Sequence, residues 1–272
     1  MSNAGAKADS DPFLVEMDRE LSGWDDPSAR ILQALAGDEF ALYAQPIQTL
    51  KGERRFEIAE LLVRLREEEA AMLPPGEFFP VFEHYGMMPQ LDRWVARHAV
   101  ARLARGSRVP LLSINVSGQT LGDLDFAADV QAELRRAKVE ARMLGFEIDE
   151  SDLLARPEAA ARFAEGIKKV GCRILIDSFG QRSVSFAQLK DLHADYVKVD
   201  GSIVRNLRGS EVARTKLSAV VRVGGVIGVE VIAECVEERE ILELVKAAGA
   251  GYAQGFGVKR PAPLDTVVEG FL

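Results

Sequence analysis

Seven short apolar runs of this sequence end on a polar side chain that can hold a metal ion or a proton. The residues are Glu60, Asn115, Glu147, Asp177, Asp200, Glu234 and Gln254. Carboxylate and amide oxygens without histidine suit Mg²⁺ or Mn²⁺ and disfavour zinc or copper. Two such ions can activate water and stabilise an in-line displacement at phosphorus. The pattern therefore predicts phosphodiester hydrolysis with one or two Mg²⁺ or Mn²⁺ ions as cofactor.

Lys198 lies two residues before Asp200 on the same apolar run. Because strand side chains alternate with a period of two, both should face the acidic cluster, where Lys198 could orient or deprotonate water or bind a phosphate. Structural interpretations stay open for single residues: Asp177 could cap a turn, Asn115 could form an Asx turn, and Gln254 could satisfy backbone groups. Lys198 could serve only as the ion-pair partner of Asp200. Buried carboxylates are costly without compensation, so we expect a cation among them.

The residues that carry this chemistry fall on an alternating series of predicted strands and helices. Helical patterns occur at about 76–86, 90–105, 121–137, 157–170, 209–226 and 237–248, with apolar runs between them. This alternation predicts a parallel sheet with covering helices. In a closed (β/α)8 barrel the carboxyl ends of the strands converge on the active site, which would gather the polar residues.

The first two predicted strands are separated only by a short connection. They run from Phe40 to Ile47 and from Phe56 to Leu62. A short connection suits an antiparallel hairpin, whereas a parallel crossover needs about a dozen residues or more. We therefore expect an α/β barrel whose first strand runs opposite to the others.

The length of 272 residues suits one barrel, since α/β barrels of about 250 residues are common. Residues 1–26 lack an apolar signal core and resemble a leader and linker, which leaves 27–272 for the barrel domain. The net charge of −8 and the lack of a Lys/Arg block disfavour DNA or RNA polymers as partners.

Two observations bear on the compartment. Cys172 and Cys235 have no CxxC spacing, so neither a disulfide framework nor a zinc site is predicted. The most apolar stretch, around residues 220–233, contains Arg222 and Glu230, so no membrane segment is predicted. We expect a cytoplasmic protein or the cytosolic domain of a larger one.

Ordered sequence blocks carry a resemblance to a known family. They are Tyr43-Ala-Gln-Pro-Ile47, Glu60-Leu-Leu-Val-Arg64, Pro75-Gly-Glu-Phe-Phe-Pro80, Ser113-Ile-Asn115, Glu147-Ile-Asp-Glu-Ser151, Ile176-Asp-Ser-Phe-Gly180, Tyr196-Val-Lys-Val-Asp200, Ala233-Glu-Cys-Val-Glu237 and Gln254-Gly-Phe256. Together they resemble the EAL family of cyclic di-GMP phosphodiesterases over about residues 30–265. The resemblance implies a modified TIM barrel with one antiparallel strand, often dimeric, that hydrolyses cyclic di-GMP to linear pGpG with magnesium or manganese.

The resemblance also implies roles for individual residues. The implied metal ligands are Glu60, Asn115, Glu147, Asp177 and Glu234, with Asp200 in support. Lys198 would bind the nucleophilic water and, with Glu60 and Glu237, forms the implied catalytic set. Gln254 matches a position at the ligand, and Gln45 and Arg64 match positions that contact the dinucleotide. Glu150 resembles a residue that steadies the adjacent catalytic loop.

This sequence departs from the family in the loop after Asp177. The family block Asp-Asp-Phe-Gly-Thr-Gly here reads Asp177-Ser178-Phe-Gly-Gln181-Arg182. A serine hydroxyl is neutral and a poor ligand for a hard dication, so the second metal position loses one negative charge. The change to Gln181-Arg182 also removes a glycine from a loop implied to couple metal binding to dimerisation. Two smaller departures, Leu61 in place of the family's middle alanine and Cys235 in place of the glycine usual after the Glu234 position, are expected to be tolerated in packing.

Two functions from different classes follow. The favoured one is a receptor or scaffold that binds cyclic di-GMP, with hydrolysis impaired by Ser178. The alternative is a slow metal-dependent phosphodiesterase in which water or Glu237 compensates for the missing carboxylate. A third interpretation, a domain that ignores the nucleotide and only contacts proteins, is disfavoured because so many pocket residues are retained.

Overall fold

The computed structural model of the chain describes residues 26–51, 56–68, 71–73, 75–182 and 184–270. The predicted leader, residues 1–26, lies outside these ranges except for Asp26. The described residues form two compact units, one with residues 26–41 and the described part of Arg64–Met88, the other with the described part of Leu42–Val63 and of residues 89–270. The assignment of 27–272 to one barrel domain stays a prediction.

The first unit contains helices at both ends of its sequence and an aromatic core. Its elements are α1 (Pro27–Ala36), the start of β1 (Phe40–Thr49), the end of β2 (Phe56–Glu68), β3 (Ala71–Leu73) and α2 (Pro75–His84). The Asp26 side chain accepts a hydrogen bond from the backbone N of Ala29 at 3.0 Å and caps α1. The rings of Phe40, Phe78 and Phe82 pack with centroids 5.7 to 6.2 Å apart.

The second unit contains a closed barrel of β-strands. Besides β1 and β2, its strands are β4 (Leu111–Val116), β5 (Leu144–Asp149), β6 (Arg173–Phe179), β7 (Tyr196–Val199), β8 (Glu230–Ala233) and β9 (Tyr252–Ala253). The order is β1-β9-β8-β7-β6-β5-β4-β2, and β1 also pairs with β2. Neighbouring strands from β2 to β9 are parallel, whereas β1 is antiparallel to β9 and to the short β10 (Ala262–Pro263). The predicted barrel with one antiparallel strand is confirmed.

Helices connect the barrel strands. They are α3 (Met88–Ala104), α4 (Gly118–Leu121), α5 (Phe126–Ala137), α6 (Glu150–Ala155), α7 (Pro157–Val170), α8 (Phe186–Asp191), α9 (Gly201–Arg205), α10 (Glu211–Ile227), α11 (Arg239–Ala247) and α12 (Leu264–Glu269). Gly171 and Gly228 end α7 and α10 with φ of 100° and 80°, as expected of glycine caps. Within the described ranges, no helix combines the length and apolarity needed to cross a membrane.

The barrel interior has an apolar layer below a polar one. The apolar layer is the buried cluster Ile47, Ile58, Leu111, Leu175 and Ile232, with Tyr196 and Tyr252 packed against it. Because strand side chains alternate, the residue two positions further along each strand also faces inward. Ile58 is thus followed by Glu60, Leu175 by Asp177 and Ile232 by Glu234. The strands that fill the core with apolar side chains therefore also position the polar residues.

Glu60 does not end its strand as the sequence led us to expect. β2 continues to Glu68, so Glu60 lies within the strand. The apolar run from Phe56 stops near Leu62, but backbone pairing with β3 extends the strand through polar residues, with Leu65 opposite Leu73. Hydrophobicity marks where a strand is buried, whereas pairing decides where it ends.

A buried carboxylate links α3 to the end of β4. Asp92 is 4% exposed and accepts hydrogen bonds from the backbone N and the Oγ of Ser117, each at 3.0 Å, and from the Oγ1 of Thr120. Burial raises the pKa of Asp92 to about 6, because the hydrogen bonds only partly offset the lost hydration.

Asp92 is expected to make the folded protein less stable as pH rises. Its pKa is higher in the folded than in the unfolded chain, so its contribution is favourable at low pH and is lost as pH rises through the folded pKa of about 6. Between about pH 4.5 and pH 7 this amounts to about 2 kcal/mol. Urea unfolding of wild type and Asp92→Asn at both pH values measures it. A stability difference independent of pH would contradict the shift.

Candidate active site

Lys198 lies at the centre of four carboxylates contributed by four strands or their ends. Its side chain is 1% exposed. The Nζ atom lies 3.0 Å from Glu60 Oε2, 2.7 Å from Glu147 Oε2, 3.2 Å from Asp177 Oδ1 and 3.0 Å from Glu234 Oε1. The structure thus brings these predicted site residues together, and the cation expected among them is the Lys198 ammonium.

Glu60 connects this cluster to three amide side chains. It accepts a hydrogen bond from Asn115 Nδ2 at 2.7 Å and from Gln254 Nε2 at 2.6 Å. Gln254 Nε2 also lies 3.3 Å from Gln45 Oε1, and Gln45 donates to the backbone O of Lys259 at 3.1 Å. Asn115, Gln254 and Gln45 therefore belong to the same polar floor of the barrel mouth.

The pKa values of the carboxylates in this cluster are shifted in different directions. Burial raises the pKa of Glu147 to about 8, and the nearby charges of Glu60 and Asp177 oppose the effect of Lys198. Burial likewise raises the pKa of Glu234 well above its usual value. Burial would also raise the pKa of Glu60, but Lys198 and the hydrogen bonds from Gln254 and Asn115 outweigh it, so this pKa is lowered.

The donor atoms of the cluster fit a hard dication. Glu147 Oε1 is buried without a hydrogen-bond partner, and Asp177 Oδ1 accepts no hydrogen bond although it lies 3.2 Å from Lys198 Nζ. Carboxylate oxygens are the ligands that Mg²⁺ and Mn²⁺ prefer. As they stand, no three His, Cys, Asp or Glu side chains of the described ranges are arranged to hold an ion. The carboxylates turn toward Lys198 instead, so metal binding would require them to turn toward the ion. The ligand roles stay predictions.

Asp200 does not share the cluster around Lys198. Its Oδ1 accepts from the backbone N of Ser202 at 2.8 Å and caps α9, while its Oδ2 accepts from Gln181 Nε2 at 2.6 Å. The suggested pairing of Lys198 with Asp200 is therefore wrong. β7 ends at Val199 and the chain turns into α9, so the alternation that placed both side chains on one face no longer applies.

The loop after Asp177 is anchored to a buried glutamate. Glu150 is 1% exposed and accepts from the backbone N of Arg182 at 2.8 Å and of Val184 at 3.4 Å. Ser178 adopts a left-handed φ of 56°, and the register of β6 with β7 shifts between Ile176 and Phe179. The contact agrees with the loop-steadying role implied for Glu150.

Comparison with known proteins identifies the family. The sequence pattern of the EAL domain matches residues 28–261. The chain belongs to the EAL family. It is 33% identical over 244 residues to cyclic di-GMP phosphodiesterase PdeF of Escherichia coli, covering 88% of this chain and 32% of PdeF. It is 31% identical over 247 residues to cyclic di-GMP phosphodiesterase PdeB of Shewanella oneidensis, covering 90% of this chain and 29% of PdeB. The chain thus spans about a third of the length of these relatives.

Solved EAL structures share the fold. The PaMucR phosphodiesterase in complex with c-di-GMP superposes with a TM-score of 0.81 at 26% identity, covering 89% of this chain and 99% of that one. The FimX EAL domain from Pseudomonas aeruginosa bound to c-di-GMP gives 0.81 at 27% identity, covering 87% and 96%. The family and the modified TIM barrel expected from the sequence are both confirmed.

Two further predicted site residues of this EAL domain are Glu237 and Arg64. Glu237 is exposed and lies on the loop that follows Glu234. Arg64 is part of β2 and belongs to the first compact unit. The catalytic role of Glu237 and the ligand contact of Arg64 stay predictions.

Sequence reasoning missed two features of the site. One is the hydrogen bond from Gln181 to Asp200, which joins two loops and has no local sequence signal. The other is the backbone of Cys235, which adopts a left-handed φ of 51°. The sequence did carry a signal for this left-handed backbone. The family usually has glycine at the Cys235 position, and glycine adopts this conformation without strain. A Cβ on Gly201 would collide with the Cys235 side chain, so the two residues pack closely.

Replacing Cys235 by glycine is expected to raise the free energy of unfolding by about 1 kcal/mol, because a left-handed backbone is strained for residues with a Cβ. Chemical denaturation of wild type and Cys235→Gly measures the change. Cys235→Ala removes the thiol but keeps the Cβ, so it should bring no gain. Equal stability of the glycine and alanine variants would show that this backbone is not strained.

Proposed function

We propose that this EAL domain binds cyclic di-GMP and acts as a receptor or scaffold, with impaired hydrolysis. Binding is supported by the relatives, since PdeF and PdeB are named cyclic di-GMP phosphodiesterases and the PaMucR and FimX structures contain c-di-GMP. It is also supported by the retained polar floor, in which Gln45 and Gln254 lie next to Glu60. Gln45, Gln254 and Arg64 are the proposed nucleotide contacts.

Impaired hydrolysis is supported by the state of the second metal position. Ser178 supplies a neutral hydroxyl where relatives are expected to supply a carboxylate. Both oxygens of Asp200 are engaged, one by Ser202 and one by Gln181. The second metal position would therefore lack the carboxylate that Ser178 replaces, and its supporting carboxylate, Asp200, already accepts hydrogen bonds from other groups. This combination is the observation that carries the receptor proposal.

The proposed roles of the remaining residues follow from the cluster. Glu60, Asn115, Glu147, Asp177 and Glu234 would hold Mg²⁺ or Mn²⁺, with Asp200 in support. Such an ion activates water and stabilises negative charge on phosphate. Lys198 would orient the attacking water, with Glu60 and Glu237 as further catalytic groups. Because the Lys198 cluster is retained, slow hydrolysis to pGpG is the second candidate function.

Two further proposals concern assembly and location. We propose a homodimer and a cytoplasmic location. Val212 and Val226 on α10 are 66% and 82% exposed. They lie fourteen residues apart, about four helical turns, and so face roughly the same side of the helix, where they offer two apolar contact points to a second copy. Sedimentation velocity of wild type and Val226→Glu tests the dimer, and a monomeric wild type would end that proposal.

Two measurements on the same protein sample distinguish the candidate functions. Calorimetric titration with cyclic di-GMP in Ca²⁺ measures binding, and chromatography after incubation with Mn²⁺ measures pGpG. A receptor binds without measurable turnover, whereas a slow enzyme does both. Absence of binding would overturn the proposed function. Cyclic di-AMP serves as the ligand control. A site specific for cyclic di-GMP should bind cyclic di-AMP more weakly, whereas non-specific attraction of dinucleotides would bind both ligands equally.

A further inference from the structure

The loop after β4 lies against α6 at a glycine. Gly118 begins α4 and lies three residues after Asn115, a proposed metal ligand. A Cβ on Gly118 would lie 2.1 Å from Asp152 Oδ1 and 2.3 Å from Arg156 Nη1. The φ of Gly118 lies outside the left-handed region, so its backbone conformation does not require glycine. Glycine is instead required here because two charged side chains of another element lie against this backbone.

Asp152 connects the backbone of Gly118 to Arg156. Its Oδ1 accepts a hydrogen bond from Arg156 Nη1 at 2.7 Å, and its side chain is 27% exposed. Burial raises the pKa of Asp152, whereas the Arg156 guanidinium and the backbone N–H of Gly118 act to lower it. The carboxylate of Asp152 is therefore held between a guanidinium of its own segment and the first N–H group of α4.

The helix that carries Asp152 also holds the loop after Asp177. Glu150, two residues before Asp152, accepts hydrogen bonds from two backbone N–H groups of that loop. The same helix, α6, follows directly on β5, which carries Glu147. Contacts of α6 thus reach the ends of three neighbouring strands, β4, β5 and β6. Each of these strands supplies one proposed metal ligand.

A second carboxylate, Asp92, holds the other side of the loop after β4. Asp92 on α3 accepts hydrogen bonds from Ser117 and Thr120. Because α3 contributes no proposed ligand, this contact fixes the loop to a covering helix and not to the neighbouring ligands. The contact with Asp152 fixes the same loop to the segment that continues from Glu147. The two anchors therefore restrain the loop in different directions.

We propose that Asp152 is a positioning residue of the metal site, which acts through Gly118 to hold the loop after Asn115 against α6. This inference rests on the metal roles given under the proposed function. The Asn115 amide donates to Glu60 at 2.7 Å, which leaves its oxygen as the metal donor. Asp152 would not contact the ion. It would raise the affinity for the ion by restricting the movement of the strand end that carries Asn115.

The first test is the affinity for Mn²⁺, measured by electron paramagnetic resonance of the free ion. Asp152→Ala removes the acceptor and should weaken Mn²⁺ binding about fivefold, as expected for one lost hydrogen bond. Asp152→Asn keeps an oxygen acceptor for the Gly118 N–H and should bind Mn²⁺ within about twofold of wild type. The matched control is Glu165→Ala, which removes another ion pair of the same i,i+4 spacing, with Lys169 at 2.6 Å, and should leave the affinity unchanged.

A double-variant cycle tests whether Gly118 and Asp152 act through their contact. Gly118→Ala places a Cβ where the carboxylate lies and should also weaken Mn²⁺ binding about fivefold. Both changes break the same contact, so the double variant Gly118→Ala, Asp152→Ala should lose about fivefold in affinity rather than about 25-fold. Multiplicative losses would show that the two residues act independently and would overturn the proposal.

Hydrogen exchange of the metal-free protein separates positioning from simple stabilisation. The backbone amides of residues 118–121 should exchange faster in Asp152→Ala than in wild type or Glu165→Ala, because the loop has lost one anchor. Faster exchange with unchanged Mn²⁺ affinity would overturn the proposal, since Asp152 would then only stabilise the loop. Absence of Mn²⁺ binding to the wild type would instead overturn the metal roles of the proposed function, so the two failures are distinguishable.

Discussion

Replacing Lys198 by methionine is expected to lower the free energy of unfolding of the metal-free protein by about 3 to 5 kcal/mol. The ammonium lies within 3.2 Å of four carboxylates, and it is 1% exposed. Methionine keeps much of the apolar stem but leaves those carboxylates buried without a cation. Removal of one partner from a buried charge cluster costs far more than loss of a surface ion pair.

Urea unfolding in the presence of a chelator measures this loss. The matched control is Lys169→Met, since Lys169 pairs with Glu165 at 2.6 Å on α7 but is 74% exposed. The control should leave the free energy of unfolding nearly unchanged, because a fully exposed ion pair contributes little. Addition of Mn²⁺ should restore part of the stability of Lys198→Met, because a dication replaces the missing charge. Similar losses in both variants would mean that Lys198 does not neutralise the cluster.

If the second metal position is as proposed, the double variant Ser178→Asp, Gln181→Thr is expected to raise turnover of cyclic di-GMP by about 100-fold. Ser178→Asp supplies the missing carboxylate at a left-handed position that aspartate tolerates better than most residues. Gln181→Thr removes the amide that holds Asp200 Oδ2 at 2.6 Å. Ser178→Asp alone should give the smaller gain, about tenfold, because Asp200 stays engaged.

Two readouts distinguish the missing ligand from other obstacles. Chromatography of pGpG gives turnover, and electron paramagnetic resonance gives the number of bound Mn²⁺ ions. Ser178→Asn is the control, since it has the shape of aspartate without its charge. If neither Ser178→Asp nor the double variant gains turnover, the conformation of the loop rather than the missing carboxylate blocks hydrolysis.

The fold was predictable because its signals are local. Apolar runs separated by helical patterns gave the strands, and the short connection after β1 gave its antiparallel direction. The convergence of Glu147 and Glu234 followed from the barrel, since parallel strands bring their carboxyl ends together, whereas Glu60 joins them from within β2. Periodicity also placed Lys198 inside the barrel, where burial demanded partners for its charge.

The details that sequence reasoning missed depend on tertiary contacts. The orientation of Asp200 depends on the turn into α9 and on Gln181 from another loop. The extension of β2 beyond Leu62 depends on pairing with β3, which hydrophobicity does not encode. The left-handed backbone of Cys235 is imposed by its surroundings, because cysteine itself disfavours it.

The ammonium at the centre of the carboxylates gives this domain an internal counter-ion. A site of this kind can be assembled during folding without any dissolved metal, since Lys198 already neutralises part of the acidic charge. A dication bound as proposed above would therefore enter a cluster whose acidic charge Lys198 has already partly neutralised. The availability of free metal would accordingly govern what the domain binds, and not whether it exists as a folded protein.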